Sequence, residues 1–193
     1  MSLDDYDYIV MKRHSHEVFK SFKNSIRGWG PDSVADLLEI ARLDWLSDFT
    51  NIIDSWKEIA ESDMISKMTE GQLLLAYTTL GALVEGWLKL FYCAHYESYK
   101  DETSQQIYMN VPGAATQITP NELSFEKLKV FSRDIIWDKG EPFDLWVDKI
   151  QQRRNAIHAF NDRNIGTPQE YLADIGMYCE FVDELYTRLP DMP

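Results

Sequence analysis

Cysteine is scarce in this chain: Cys93 and Cys179 are the only two in 193 residues. No framework of disulfides can brace such a chain, and two thiols suit a reducing interior. Basic charge is scarce too. Lys and Arg number 19 against 32 Asp and Glu, a net charge of -13. That field repels polyanions at long range, which argues against tight, sequence-independent nucleic-acid binding. A local basic patch could still hold one phosphate. The opening MSLDDYDYIV has no basic segment ahead of an apolar one, so no secretion signal is expected. Long apolar runs are also missing. The most hydrophobic stretch, LLLAYTTLGALVEGWLKLF, is interrupted by Glu85 and Lys89, and a membrane span is not expected there. The expectation is a cytoplasmic protein without membrane contact.

Chemistry-bearing motifs are few. There is no Gly-rich phosphate loop, no Ser or Cys nucleophile elbow, and no zinc spacing. His14 and His16 lie two apart, which points them to different helix faces without an acidic or thiol set beside them. No metal and no cofactor are expected. Alternating strands and internal repeats are absent as well.

Apolar residues at helical spacing are present nearly everywhere, at 45% hydrophobic composition, and they predict one all-α domain over 1–193. The expected architecture is an up-and-down bundle of five to six helices. Residues 1–13 are expected to be disordered. A first helix is predicted over Ser15–Arg27, with Val18, Phe19, Phe22 and Ile26 inward. Ser33 is the predicted N-cap of a second, running through Leu38, Ile40 and Leu43. DWLSDFTNIIDSWKEIAE continues the register, with Trp45, Phe49, Ile52, Ile53 and Trp56 inward. Thr69 opens the longest helix, predicted over 69–97. Residues 99–121 lose the period and contain Pro112, Gly113 and Pro120, an excursion with room for a short extended piece. A short helix around SFEKLKVFSRDI is followed by one from Pro142 to Phe160, with Phe143, Trp146, Val147, Ile150 and Ile157 inward. The last helix is the best marked. Thr167, Pro168 and Glu170 form a capping box, with proline where its missing N–H costs nothing.

Polar residues crowd one stretch, QQRRNAIHAF at 151–160. Continued as an α-helix, it would put Arg154 and His158 on one face, with Asn155 beside them. Arg153 would stand about 140° from His158, within reach only through its long side chain. A histidine titrates near neutrality and can take a proton from a ribose hydroxyl or give one to a leaving oxygen. An arginine offers a planar fork to phosphate oxygens, and an asparagine can orient either group. Those are parts for metal-independent RNA cleavage, once a second copy supplies another acid. The plainer alternative is that cations at a helix C-terminus offset its dipole. Glu85, on a face with Leu74, Thr78, Gly81 and Leu88, needs a partner in so apolar a helix, and Arg153 or Arg154 is the expected one. Lys127, Lys129, Arg133 and Lys149 would add positive charge nearby. The aromatic group Trp87, Phe91, Tyr92, Tyr96 and Tyr99 reads as core or interface.

RRNAIHAF on a late helix of an all-α chain resembles the Arg-x4–6-His signature of the HEPN superfamily, and LGALVEGWLKLFYCAHYESY resembles the long helix of HEPN-like bacterial proteins. The likeness spans about residues 69–189 in pattern. Arg153 takes the place of the motif arginine, with four residues between it and His158. The polar position after that arginine, often asparagine, holds Arg154 here, and Asn155 follows one later. The resemblance implies a homodimer whose two motifs meet across a cleft. It implies either a ribonuclease of the toxin–antitoxin or phage-defence kind, or a non-catalytic module that binds RNA, a nucleotide or a cognate protein. In the first case His158 is the acid/base, Arg153 and Arg154 hold phosphate, Asn155 orients, and Glu85 aims an arginine from behind.

Overall fold

The computed structural model describes residues 5–22, 32–61, 68–111, 114–158 and 163–190. Eight α-helices lie among them: α1 Asp5–Glu17, α2 Asp32–Glu39, α3 Leu43–Glu61, α4 Glu70–Ala94, α5 Tyr96–Asp101, α6 Phe125–Phe131, α7 Pro142–Asn155 and α8 Pro168–Thr187. The all-α bundle expected from periodicity is what the chain forms. One cluster of buried side chains runs from Tyr8 to Leu185.

Helix α4 is the axis of the bundle. It packs most extensively against α7 and α3, while α1 lies along α8. Thr69 caps it through a capping box with Gln72, the local signal that starts a helix without help from packing. Leu80, Leu83, Val84, Trp87 and Leu88 are fully buried along it. By length and composition α4 could cross a membrane, with a mean hydropathy of 1.3, and 56% of that stretch is buried by the rest of the chain. Helix α8 opens on the Thr167–Glu170 capping box with Pro168 in its first turn. Tyr171, Ile175, Tyr178, Cys179, Phe181 and Leu185 all face the core, as the stripe predicts.

Several boundaries differ from the sequence reading. The first helix starts at Asp5 rather than Ser15. Tertiary contacts fix it there: the Tyr8 hydroxyl donates to Asp54 Oδ1 at 2.7 Å, Lys12 Nζ pairs with Asp54, and Met11 is buried. After Glu17 the chain widens into a π-helical turn, Val18–Phe22, with Val18 and Phe19 buried. Ile26 lies outside the described residues. Ser33 sits inside α2 rather than capping it, and Ile40 is exposed between α2 and α3.

On α3 the inward stripe is Leu43, Ser47, Thr50, Ile53 and Ala60. Trp45 and Ile52 are 52% and 40% exposed, a correction to their expected inward placement. Two small hydroxyls occupy the core face instead, and each is satisfied: Thr50 Oγ1 donates to the Leu46 carbonyl, and Ser47 shares a hydrogen bond with His16. A buried hydroxyl with a partner carries little penalty, and a hydropathy pattern alone misses it.

The excursion at 99–121 contains a two-stranded antiparallel hairpin, Tyr108–Val111 with Ala114–Gln117, in the register Tyr108 to Gln117. It is tied down by Tyr99, whose hydroxyl donates to the Ile118 carbonyl, and by Gln117 Nε2, which donates to the Tyr99 carbonyl.

Candidate functional site

Helix α7 carries the candidate residues into the bundle. Trp146, Val147 and Ile150 bury one face against α4 and α8, and this fixes the rotation of everything that follows. The α-helix ends at Asn155, and Ala156–His158 form a 3-10 turn. Side chains advance about 120° per residue there rather than 100°, so the α-helical pairing of Arg154 with His158 does not carry through. Ile157 is 41% exposed, not inward as its spacing predicts, because the chain has already left the helix.

Arg153 points into the bundle and is 4% exposed. Its Nη1 donates to Asp174 Oδ2 at 2.9 Å and to the Tyr77 hydroxyl, and its Nη2 donates to Glu170 Oε1 at 2.8 Å. The guanidinium also lies over the Tyr77 ring, 4.9 Å from its centroid. Asp174, 1% exposed, is the node of this network. It accepts from Tyr77 and from Trp146 Nε1, and it pairs with Lys149 as well as Arg153. Burial alone would pull the Arg153 pKa down, but the Glu170 bond and the charge of Asp174 hold it above its ordinary value. Burial also pushes the Tyr77 hydroxyl well up, so that it stays protonated. The node is a charged, hydrogen-bonded core element with its formal charges matched.

Arg154, one residue on, faces α4. Its Nη2 pairs with Glu85 Oε2 at 2.8 Å, and Glu85 Oε1 pairs with Lys89 at 2.9 Å. Of the two partners expected for Glu85, Arg154 is the one it takes. Gly81 makes the approach possible: a Cβ there would stand 2.8 Å from the Arg154 side chain. The guanidinium reaches over Phe125 with its side chain about one-third exposed.

His158 is exposed and Asn155 is half-buried. Among the described residues no hydrogen bond or ion pair joins His158 to Arg153, Arg154 or Asn155. The fold thus brings Arg154 to Glu85 and Arg153 to Asp174, and leaves the imidazole exposed, with no partner among the described residues. Three of the four basic residues expected to enrich the segment are also committed. Lys129 is buried with Glu126, Asp148 and Gln151, Arg133 pairs with Asp144, and Lys149 with Asp174.

Sequence reasoning passed over Asp174 and Tyr77, and read Glu170 only as part of the capping box and not as a partner of Arg153. A signal for Asp174 was available, since it stands three residues after Tyr171 and four before Tyr178, an acid inside an apolar stripe. Tyr77 gives no such signal, because a core tyrosine looks the same whether or not its hydroxyl is used. The aromatic group on α4 and α5 is core, with Trp87, Phe91, Tyr92 and Tyr99 buried. His14 is buried and stacked on Tyr186 at 3.7 Å, and His16 bonds Ser47 and Asn51, so the two do part to different faces. No group of three or more His, Cys, Asp or Glu arranged to hold a metal occurs among the described residues. No family model matches the chain, and no characterised protein or solved structure is significantly similar to it.

Proposed function

We propose that this chain is a non-catalytic, HEPN-like interaction module of the cytoplasm, in which the Arg/His segment braces the bundle. The sealing of Arg153 carries this reading. A guanidinium that neutralises a buried aspartate and bonds a glutamate at its rim is a poor receiver of a phosphorane, since releasing it would strand a buried carboxylate. Among the described residues His158 has no hydrogen-bonded or ion-paired acid or base, and Lys129, Arg133, Lys149 and Arg154 are paired. The net charge of -13 opposes a long polyanion further. Trp45 and Ile52, seven apart on α3, leave apolar surface open in a way that suits a protein partner or a second copy.

The experiment is incubation of the purified protein with structured and unstructured RNA in chelator, beside His158→Ala. The expected outcome is no cleavage above the buffer blank for either protein. Cleavage that leaves cyclic phosphate ends and vanishes in His158→Ala would reverse the reading in favour of a metal-independent ribonuclease, with the second acid supplied by a dimer mate. Light scattering on the same sample tests the expected homodimer.

A further inference from the structure

A pocket of about 340 Å³ opens between the α2–α3 junction and the outer side of α4, within the size range of small-ligand sites. Its walls are aliphatic: Leu37, Leu38, Leu43, Leu46, Ala82 and Leu90 line it, and among the described residues no aromatic ring does. Gly86 shapes it. A Cβ at that position would stand 2.5 Å from Leu46 Cδ1, so the missing side chain is what lets Leu46 seat against α4. Among the described residues its charged and amide side chains are Arg42, Glu85, Lys89 and Asn121, with the Cys93 thiol also in the lining.

The charges at this rim do not cancel. Arg42 is matched by Asp44 through two hydrogen bonds. Glu85, however, serves two cations at once, Lys89 through one oxygen and Arg154 through the other. One carboxylate against two cations leaves a unit of positive charge where the apolar walls meet water, in a protein that is otherwise strongly acidic. Lys89 is the member that lines the pocket, with its side chain 29% exposed and an ammonium that carries three donors. Asn121 lines the same pocket, and the Nδ2 of its amide is a donor group.

From this combination we propose that the pocket binds a small aliphatic carboxylate, with its chain against the leucines of α2, α3 and α4 and its head on Lys89. Aliphatic walls offer an aromatic ligand no stacking partner. The surplus cation selects an anion over a neutral or cationic head of equal length. The site owes nothing to whether the 153–158 segment is catalytic, so a failed or successful RNA assay leaves it standing or falling on its own.

The test is calorimetric titration of the full chain with sodium octanoate, backed by amide chemical-shift mapping. Saturable binding of one octanoate per chain is expected, with shift changes centred on residues 37–46 and 82–93. Octanamide and octylammonium should each bind at least about tenfold more weakly, and hexanoate about tenfold more weakly for its two missing methylenes. Lys89→Met should lose about tenfold in affinity while Lys89→Arg retains it. Ala82→Trp should abolish binding by filling the cavity. If that variant unfolds, the headgroup series and the Lys89 pair decide the matter without it. Absence of saturable binding, equal affinity for all three headgroups, or an unchanged Lys89→Met would each overturn the proposal.

Discussion

Arg153 and Arg154 are adjacent in sequence and live in different media. The first is sealed at 4% exposure between Tyr77, Asp174 and Glu170, and the second lies at the rim between Gly81, Glu85 and Phe125. One residue is about 100° of helix rotation, and here that rotation separates core from surface. The comparison teaches that a motif defined by spacing does not say which of its members is free to act. That depends on the rotation of α7, which Trp146, Val147 and Ile150 set by packing.

The largest effect should come from the node itself. Asp174→Ala removes the carboxylate that compensates buried Arg153 and leaves Tyr77 and Trp146 without their acceptor. Leaving a buried charge unpaired costs about 3–5 kcal/mol, a large share of a domain's stability. Urea unfolding at neutral pH should show that loss, or no folded protein at all. A cost below about 1 kcal/mol would mean that Arg153 is not held as described, and the contrast with Arg154 would collapse.

Next in size is Gly166→Ala. Gly166 has φ at +76°, and a Cβ there would fall 2.5 Å from the Arg153 guanidinium carbon. The left-handed backbone alone costs a residue with a side chain about 1 kcal/mol, and displacement of the guanidinium adds to it. A total of about 1–3 kcal/mol is expected in the same unfolding measurement. Arg154→Ala should cost less, about 1 kcal/mol, because its partner Glu85 keeps Lys89 and both lie partly in water. If Arg154→Ala proves more damaging than Gly166→Ala, the assignment of core and rim is inverted.

Much of this architecture could be read from sequence wherever a local signal was decisive. Thr69 with Gln72 and Thr167 with Glu170 are capping boxes, and both helices begin where those boxes put them. The pairing of Glu85 with an arginine was legible for a different reason, since a carboxylate in an apolar helix needs compensation. Features that failed to read depended on tertiary choice. Ile52 and Ile53 are equally apolar, yet one is 40% exposed and the other fully buried, because Ser47 and Thr50 share the face that α3 turns inward. The end of α7 at Asn155 was hidden too, since no glycine or proline marks it. The turn that follows exposes both Ile157 and His158.

The smallest effect, and the one that separates the sealed end of the Arg153 network from its wet end, lies in pH. The hydrogen bond from Arg153, reinforced by its charge, holds the Glu170 carboxyl below its ordinary value of 4.5. The unfolded chain therefore binds that proton more readily than the folded one. The resulting stabilisation is present above the ordinary carboxyl value and is lost as pH falls through the lowered folded value. Glu170→Gln removes the term. Because Glu170 is about half exposed, the difference at neutral pH should stay under about 1 kcal/mol, and the two proteins should converge on acidification. Glu126, lowered chiefly by its bond to Lys129, and Asp144, where burial is outweighed by the bonds from Arg133 and the Gly140 N–H together, remain in the variant, so its acid limb should be shallower rather than absent. Urea midpoints measured in steps from neutral to strongly acidic pH read this directly. A gap between wild type and Glu170→Gln that widens toward acid would mean that the carboxylate is not the acceptor that keeps Arg153 in place.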